Sequence, residues 1–197
     1  MKNIFLDCGS HHLEGLTSFI DNGIVKNDYE IHTFEANPAC KVEERLKTFK
    51  YKNLNCTVHN KAVWISDGKV HFNQENHKQS MSGSPTDGVS DVDGWGSSIN
   101  GIGFVHRGYS EPVEVESVDL SRFIKELPQD RKIICKLDIE GSEFEVLRKM
   151  IAEKTIDRIS ELYVEFHERF MPNESPESEK KLIEEISSRG VKVHTWF

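Results

Sequence analysis

No stretch of this 197-residue sequence approaches the ~18 consecutive apolar residues that a membrane-spanning helix needs. The first residues also lack the apolar core of a secretory signal, because Asp7 interrupts the stretch after Ile4-Phe5-Leu6. A cytoplasmic protein with no membrane partner is therefore expected. Cysteine is sparse and scattered: Cys8, Cys40, Cys56 and Cys135 stand singly, with no C-x-x-C pair, which excludes a disulfide framework in a reducing compartment. Positive charge is short as well. The 25 Lys and Arg against 33 Asp and Glu leave a formal net charge of -8, which repels a phosphate backbone, so nucleic acid is not an expected partner. The G-x-G-x-x-G fingerprint is missing too, since Ser10-His11-His12-Leu13-Glu14 follows Gly9; this argues against a nicotinamide-dependent oxidoreductase.

What is there reads as alternating strands and helices in one domain, 1–197, the pattern of a mostly parallel sheet covered on both faces. Strands are predicted at 3–7, 30–34, 56–65, 113–117, 132–137, 162–166 and 191–196. Helices are predicted at 13–22, closed by Gly23, then from Asn37-Pro38, at 120–127, from a Ser142-x-x-Glu145 capping box through Ile151, and from Ser175-Pro176 to Gly190. Asp67-Gly68 reads as a hairpin turn into 69–73. Between 79 and 108 apolar periodicity nearly vanishes, while seven of the thirteen glycines fall there. A loop of that length is expected to act as a lid or binding segment, with Trp95 as its anchor. Its acids Asp87, Asp91 and Asp93 do not make a calcium loop, because the twelfth position from Asp91 is Ile102 where a glutamate is required.

In an open α/β sheet the ligand lies beyond the carboxyl ends of the strands, and four predicted strands end in acids. Strand one ends Asp7-Cys8-Gly9-Ser10, where Gly9 permits close backbone approach and Asp7 can receive an ammonium or a bridging water. Strand two ends Glu35-Ala36-Asn37-Pro38, and a carboxylate there can accept both hydroxyls of a ribose. The others end Asp138-Ile139-Glu140-Gly141 and Glu165-Phe166-His167-Glu168. Each has a plainer reading: Asp7 and Asp138 as helix N-caps, Glu35 as a surface acid, His167 as a structural histidine. The adjacent His11 and His12 are read as exposed loop residues, since neighbouring histidines rarely converge on one ion.

The set Phe5-Leu6-Asp7-Cys8-Gly9, Thr33-Phe34-Glu35-Ala36-Asn37-Pro38, Asn60-Lys61-Ala62-Val63, Gly96-Ser97-Ser98-Ile99, Lys136-Leu137-Asp138-Ile139-Glu140-Gly141-Ser142-Glu143 and Val164-Glu165-Phe166-His167 resembles the FkbM family of methyltransferases across nearly the whole chain. The resemblance implies an α/β class I methyltransferase (Rossmann-like) fold, a mostly parallel twisted sheet with helices on both faces. It also implies S-adenosyl-L-methionine as donor and O-methylation of sugars or secondary metabolites. The cofactor contacts would fall on Asp7, Gly9, Ser10, His11, Glu35, Ala36, Asn60, Ala62 and Asp138. One departure stands out: the family runs Asp-x-Gly-Ala-Asn-x-Gly after strand one, and here the second glycine is lost.

Transfer from a sulfonium to a hydroxyl calls for alignment and for removal of a proton. Asp138, His167 and Glu140 are the candidate catalytic residues. Asp138, Glu165 and His167 could instead hold Mg²⁺ or Mn²⁺, a hard cation suited to carboxylates and an imidazole. The expected acceptor is small and hydroxylated, a sugar unit of a glycan or glycoside. A second copy of the chain stays open as a partner. A catalytically inactive methyltransferase-like binding module is the alternative function.

Overall fold

The computed structural model describes residues 2–48, 53–73, 99 and 112–195. Apart from Ile99, the expectations placed on 79–108 and on Trp196 lie outside the described residues. In chain order the first elements are β1 (Ile4–Cys8), α1 (Glu14–Asp21), β2 (Glu30–Phe34), α2 (Val42–Thr48), β3 (Asn55–His59), β4 (Ala62–Trp64) and β5 (Gly68–Phe72). They are followed by β6 (Val113–Asp119), α3 (Leu120–Glu126), β7 (Ile133–Leu137), α4 (Glu143–Ala152), β8 (Ile159–Val164), α5 (Pro176–Ser188) and β9 (Lys192–Thr195).

Six strands form one sheet in the order β3-β2-β1-β7-β8-β9, and every pairing in it is parallel. Because side chains alternate across a strand, this sheet has two buried faces. Ile4, Leu6, Cys8, Cys135, Leu137 and Leu162 pack with Leu120 and Ile124 of α3, Phe144 and Leu147 of α4, and Leu182 and Ile186 of α5. Phe5, Ile31 and Ile134 point the other way, onto Leu16 and Phe19 of α1 and Val42 of α2. The helices therefore cover both faces, as the alternation predicts. No described helix is long and apolar enough to cross a membrane.

Local chemistry sets the helix ends. Asn22 caps α1, and Gly23 at φ 71 turns the chain so that its N–H donates to Ile20 O while Ile24 N–H donates to Phe19 O, a Schellman closure. Helix α5 opens with a reciprocal box between Ser175 and Ser178 and with a proline in its first turn.

Four expectations need correcting. The strand predicted over 56–65 is two strands in two sheets: β3 closes the six-stranded sheet, and β4 belongs to a three-stranded sheet ordered β4-β6-β5. Asn60-Lys61, poor strand formers, mark the break where the chain leaves one sheet for the other. Asp67-Gly68 does not close a hairpin either, since β5 pairs antiparallel with β6 and β4 pairs with β6 from the other side. Asn37-Pro38 starts a short 3₁₀ turn, Pro38–Cys40, with the Asn37 side chain accepting from Ala39 N–H, before left-handed Lys41 leads into α2. The Ser142 capping box is absent because the Ser142 side chain makes no cap hydrogen bond to α4.

Candidate active site

Strand order reverses between β1 and β7, and a cavity of about 560 Å³ opens at their carboxyl ends. That is where an α/β sheet offers a ligand site. Gly9 shapes its floor. At φ +78, a Cβ on Gly9 would lie 1.7 Å from the carbonyl oxygen of Asp138, so only glycine fits where the β1 and β7 loops touch. Gly9 and Ser10 N–H both donate to Phe34 O, and Leu13 N–H closes the loop onto Ser10 O. Leu13 stands where the family pattern has its second glycine. It keeps a left-handed backbone, φ 71, and its side chain is fully buried in the α1 core. The turn thus survives the loss, at a strain on the order of 1–2 kcal/mol that packing offsets.

Glu35, half-buried at the end of β2, accepts His11 N–H at Oε2 and Asn37 N–H at Oε1, each at 2.7 Å. Burial pushes its carboxyl up from the ordinary range, against those two donors. A carboxylate offers about four acceptor positions, so acceptor capacity remains for a ligand in the cavity that Glu35 lines. Gly9, Ser10, His11, Ala36, Ala62 and Asp138 line it as well. Phe34 adds an aromatic wall, stacked on His59 at 4.5 Å and edge-on to Phe123 at 5.2 Å. Two expected cofactor residues stand elsewhere. Asn60 is not among the lining residues, and its amide donates to Glu43 Oε1 at the surface, 3.2 Å away. Asp7 lies beneath the floor, fully buried, with neither oxygen hydrogen-bonded. Burial pushes its carboxyl up to about 6.

Above Asp7 lies Lys136, 3% exposed inside an otherwise apolar strand. Its ammonium donates to Gly9 O at 2.6 Å and sits 3.0 Å from Asp138 Oδ2 and 3.9 Å from Asp7 Oδ1. Burial opposes that charge, but Asp138 and Asp7 outweigh it and hold the ammonium above its ordinary range. Lys136 thereby ties the β1 loop to the β7 loop. It passed unassigned in the sequence, although a charged residue in the middle of a buried strand was itself a signal.

The other wall is acidic. Glu140, at the left-handed φ of 55, lines the cavity together with Asp138 and Glu165. His167 is not a lining residue. It is 4% exposed, with Nδ1 3.1 Å from Glu143 Oε1, and with Nε2 3.4 Å from Glu140 Oε2 and 3.7 Å from Glu165 Oε1. Burial alone would lower the imidazolium pKa, but the hydrogen bond and charge of Glu143, with Glu140 and Asp138, raise it to about 9. Burial pushes Glu140 up to about 7. Behind both stands fully buried Glu143, which accepts Ile139 N–H at 2.8 Å and Gly141 N–H at 3.0 Å. Sequence reasoning missed Glu143, whose only signal was its place at the end of the Lys136–Glu143 segment.

The residues expected to hold a divalent cation do not converge as a set. Ligand atoms of Asp138, Glu143 and His167 come within 4.8 Å of one another, with Glu143 in the place expected for Glu165. The oxygens of Glu143 are already engaged by two backbone N–H groups and an imidazole, and His167 holds its proton among acids. This donor set fits a proton network better than Mg²⁺ or Mn²⁺, because a ligating imidazole must give up its proton and the acids around His167 hold that proton in place.

The histidines at 11 and 12 also differ from expectation. Their side chains are only 19% and 9% exposed, and their rings stack at 3.9 Å.

A family model described as the Methyltransferase FkbM domain matches residues 7–193. No curated protein matches the chain. Among solved structures, the crystal structure of Methyltransferase FkbM from Methylobacillus flagellatus KT is similar to this chain at 18% identity and a TM-score of 0.44. The match covers 79% of this chain and 30% of that one, so this chain spans under a third of that protein's length.

Proposed function

This chain belongs to the FkbM family of methyltransferases, and from that premise we propose that it moves the methyl group of S-adenosyl-L-methionine to a hydroxyl oxygen of a small polar acceptor, a sugar unit of a glycan or glycoside. The observation that carries the reading is the cavity at the β1–β7 switch point, with Glu35 at the end of β2 and the Gly9 turn at its floor. Among the described residues, five carboxylates line it, from Glu14, Glu35, Asp138, Glu140 and Glu165, against the cations Lys61 and Lys136. Such a lining favours a ligand with fixed positive charge, which a sulfonium carries.

Held by Glu35 and the Gly9 turn, S-adenosylmethionine would supply an electrophilic methyl carbon and a neutral sulfide as leaving group. The chain's own residues do the rest. Glu35 would take the ribose hydroxyls on its remaining acceptor positions. Glu140 would take the acceptor's proton, since it faces the cavity and its carboxyl titrates near neutrality, where a general base works best. Glu143 holds the turn that presents it. By accepting from Ile139 and Gly141 on either side, it fixes residue 140 in a backbone conformation that a non-glycine residue rarely adopts. His167, protonated between Glu143 and Glu140, positions that carboxylate and balances its charge. Of the expected catalytic trio, Asp138 is engaged by Lys136 and His167 carries a proton, which leaves Glu140 as the base.

The test is turnover with isotopically labelled methyl donor and a panel of monosaccharides and glycosides. The expected product carries one added methyl on oxygen, formed equally well with or without added Mg²⁺ or Mn²⁺. Glu140→Gln should cut turnover by ~10²–10⁴-fold with little change in affinity for S-adenosylhomocysteine. Label on nitrogen or carbon would overturn the O-methylation reading, and turnover that depends on added Mg²⁺ or Mn²⁺ would restore the metal.

A further inference from the structure

We infer that His11, His12 and Cys40 form a binding site for a borderline-soft divalent cation such as Zn²⁺ between the loops that follow β1 and β2, separate from the acidic cluster around His167. One ring nitrogen of each histidine and the sulfur of Cys40 all lie within 4.8 Å of one another. The edge of a tetrahedral zinc site, with bonds of ~2.0–2.3 Å, is about 3.5 Å, so side-chain adjustment would bring these three donors to ligating distance and leave the fourth position to water. The donor set matters as much as the spacing. Two imidazoles and a thiolate suit zinc and its neighbours far better than magnesium or calcium.

The surroundings hold these donors in place. Glu14 lies beside both histidines, with Oε2 3.4 Å from His11 Nδ1 and Oε1 3.7 Å from His12 Nδ1. A carboxylate behind an imidazole is the usual partner that orients a zinc-ligating histidine. Glu14 is itself fixed as the first residue of α1 and by accepting His12 N–H at 3.0 Å. Cys40 is fully buried and not disulfide-bonded, and its N–H closes the 3₁₀ turn onto Asn37 O. When the cation seats, it replaces the thiol proton, which leaves to solvent; no redox change occurs. The three ligands come from two loops, after β1 and after β2. This explains why no C-x-x-C or His-x-x-x-His spacing announces them, and why adjacent histidines alone misled.

The experiment uses the full chain, purified with a phosphine reductant and loaded with one equivalent of Co²⁺ as a spectroscopic stand-in for zinc. The inference expects a near-ultraviolet thiolate-to-cobalt charge-transfer band that one equivalent of Zn²⁺ abolishes. One zinc per chain should also be retained through desalting. The band should disappear in Cys40→Ser, and His12→Gln should lower zinc retention at least tenfold. His12→Gln also covers the case in which Cys40→Ser fails to fold, because it alters a ligand on the other loop and leaves the fully buried Cys40 in place. Absence of the band in the native chain, its survival in folded Cys40→Ser, or zinc retention unchanged in His12→Gln would each overturn the site. Because the readout involves neither methyl donor nor acceptor, it stands apart from the proposed reaction.

Discussion

Asp7, at the end of β1, and Glu143, at the start of α4, are both fully buried carboxylates, yet Glu143 accepts from Ile139, Gly141 and His167 while neither oxygen of Asp7 has a hydrogen-bond partner. Around Glu143 the β7–α4 loop is self-sufficient, because the buried acid satisfies the backbone groups that would otherwise be orphaned. Around Asp7 only the Lys136 ammonium compensates, 3.9 Å away and already engaged by Gly9 and Asp138. The first region is held by hydrogen bonds and the second by charge at a distance. Burial is therefore no guide to what a carboxylate contributes: one organises a loop, and the other carries a cost at the floor of the ligand cavity.

The largest way to break this contrast is Glu143→Ala. It leaves two backbone N–H groups and a protonated imidazole buried without their acceptor, and should cost about 3–5 kcal/mol by urea denaturation. Glu143→Gln keeps one acceptor oxygen and should lose clearly less. Equal losses would mean that its charge, not its hydrogen bonds, holds the loop.

Titration sharpens the comparison. Asp7 in the folded chain stands at about 6 against an ordinary 3.8. Folding therefore takes up a proton between those values, and stability falls as pH rises through them. The penalty above pH ~6 is on the order of 3 kcal/mol. Asp7→Asn should remove it, gaining up to that amount at pH ~7 and nothing below pH ~4. His167 acts in the same direction in a higher window. Its pKa is raised from 6.5 to about 9, so its contribution is complete below about 6.5 and lost as pH climbs through 9. Denaturation midpoints of native and Asp7→Asn chains across pH check both windows. A lower window that persists in Asp7→Asn would relocate the cost. The smallest effect is a control remote from both acids: Ser175→Ala, breaking the α5 capping box, should cost ~1 kcal/mol and leave both windows unchanged.

Much of this was legible from the sequence, and for identifiable reasons. Apolar runs and helix caps place β1, β2, β7, α1 and α5 because those elements are set by local periodicity and termini. Glu35, Gly9 and the acids at 138, 140 and 165 follow from strand ends in an α/β order. The rest depended on where chain segments cross. Asn60-Lys61 marks the end of β3, but not which sheet β4 joins, and Asn60 turns to Glu43 rather than the cavity. Glu143 and Lys136 work through partners 24 and 127 positions away, His167 and Gly9 respectively. Pairing at such separations cannot be read from spacing. His11 and His12 meet Cys40 only because two loops far apart in sequence, each with left-handed residues, come together.

Calorimetric titration of S-adenosylhomocysteine into the native chain and into Glu35→Ala is the most direct test of the cavity as a cofactor site. The expected result is micromolar-range binding to the native chain, no comparable binding of NAD, and a loss of about 1.5–3 kcal/mol in the variant, the value of hydrogen bonds to a charged group. Unchanged affinity in Glu35→Ala, or NAD bound as tightly as S-adenosylhomocysteine, would contradict it.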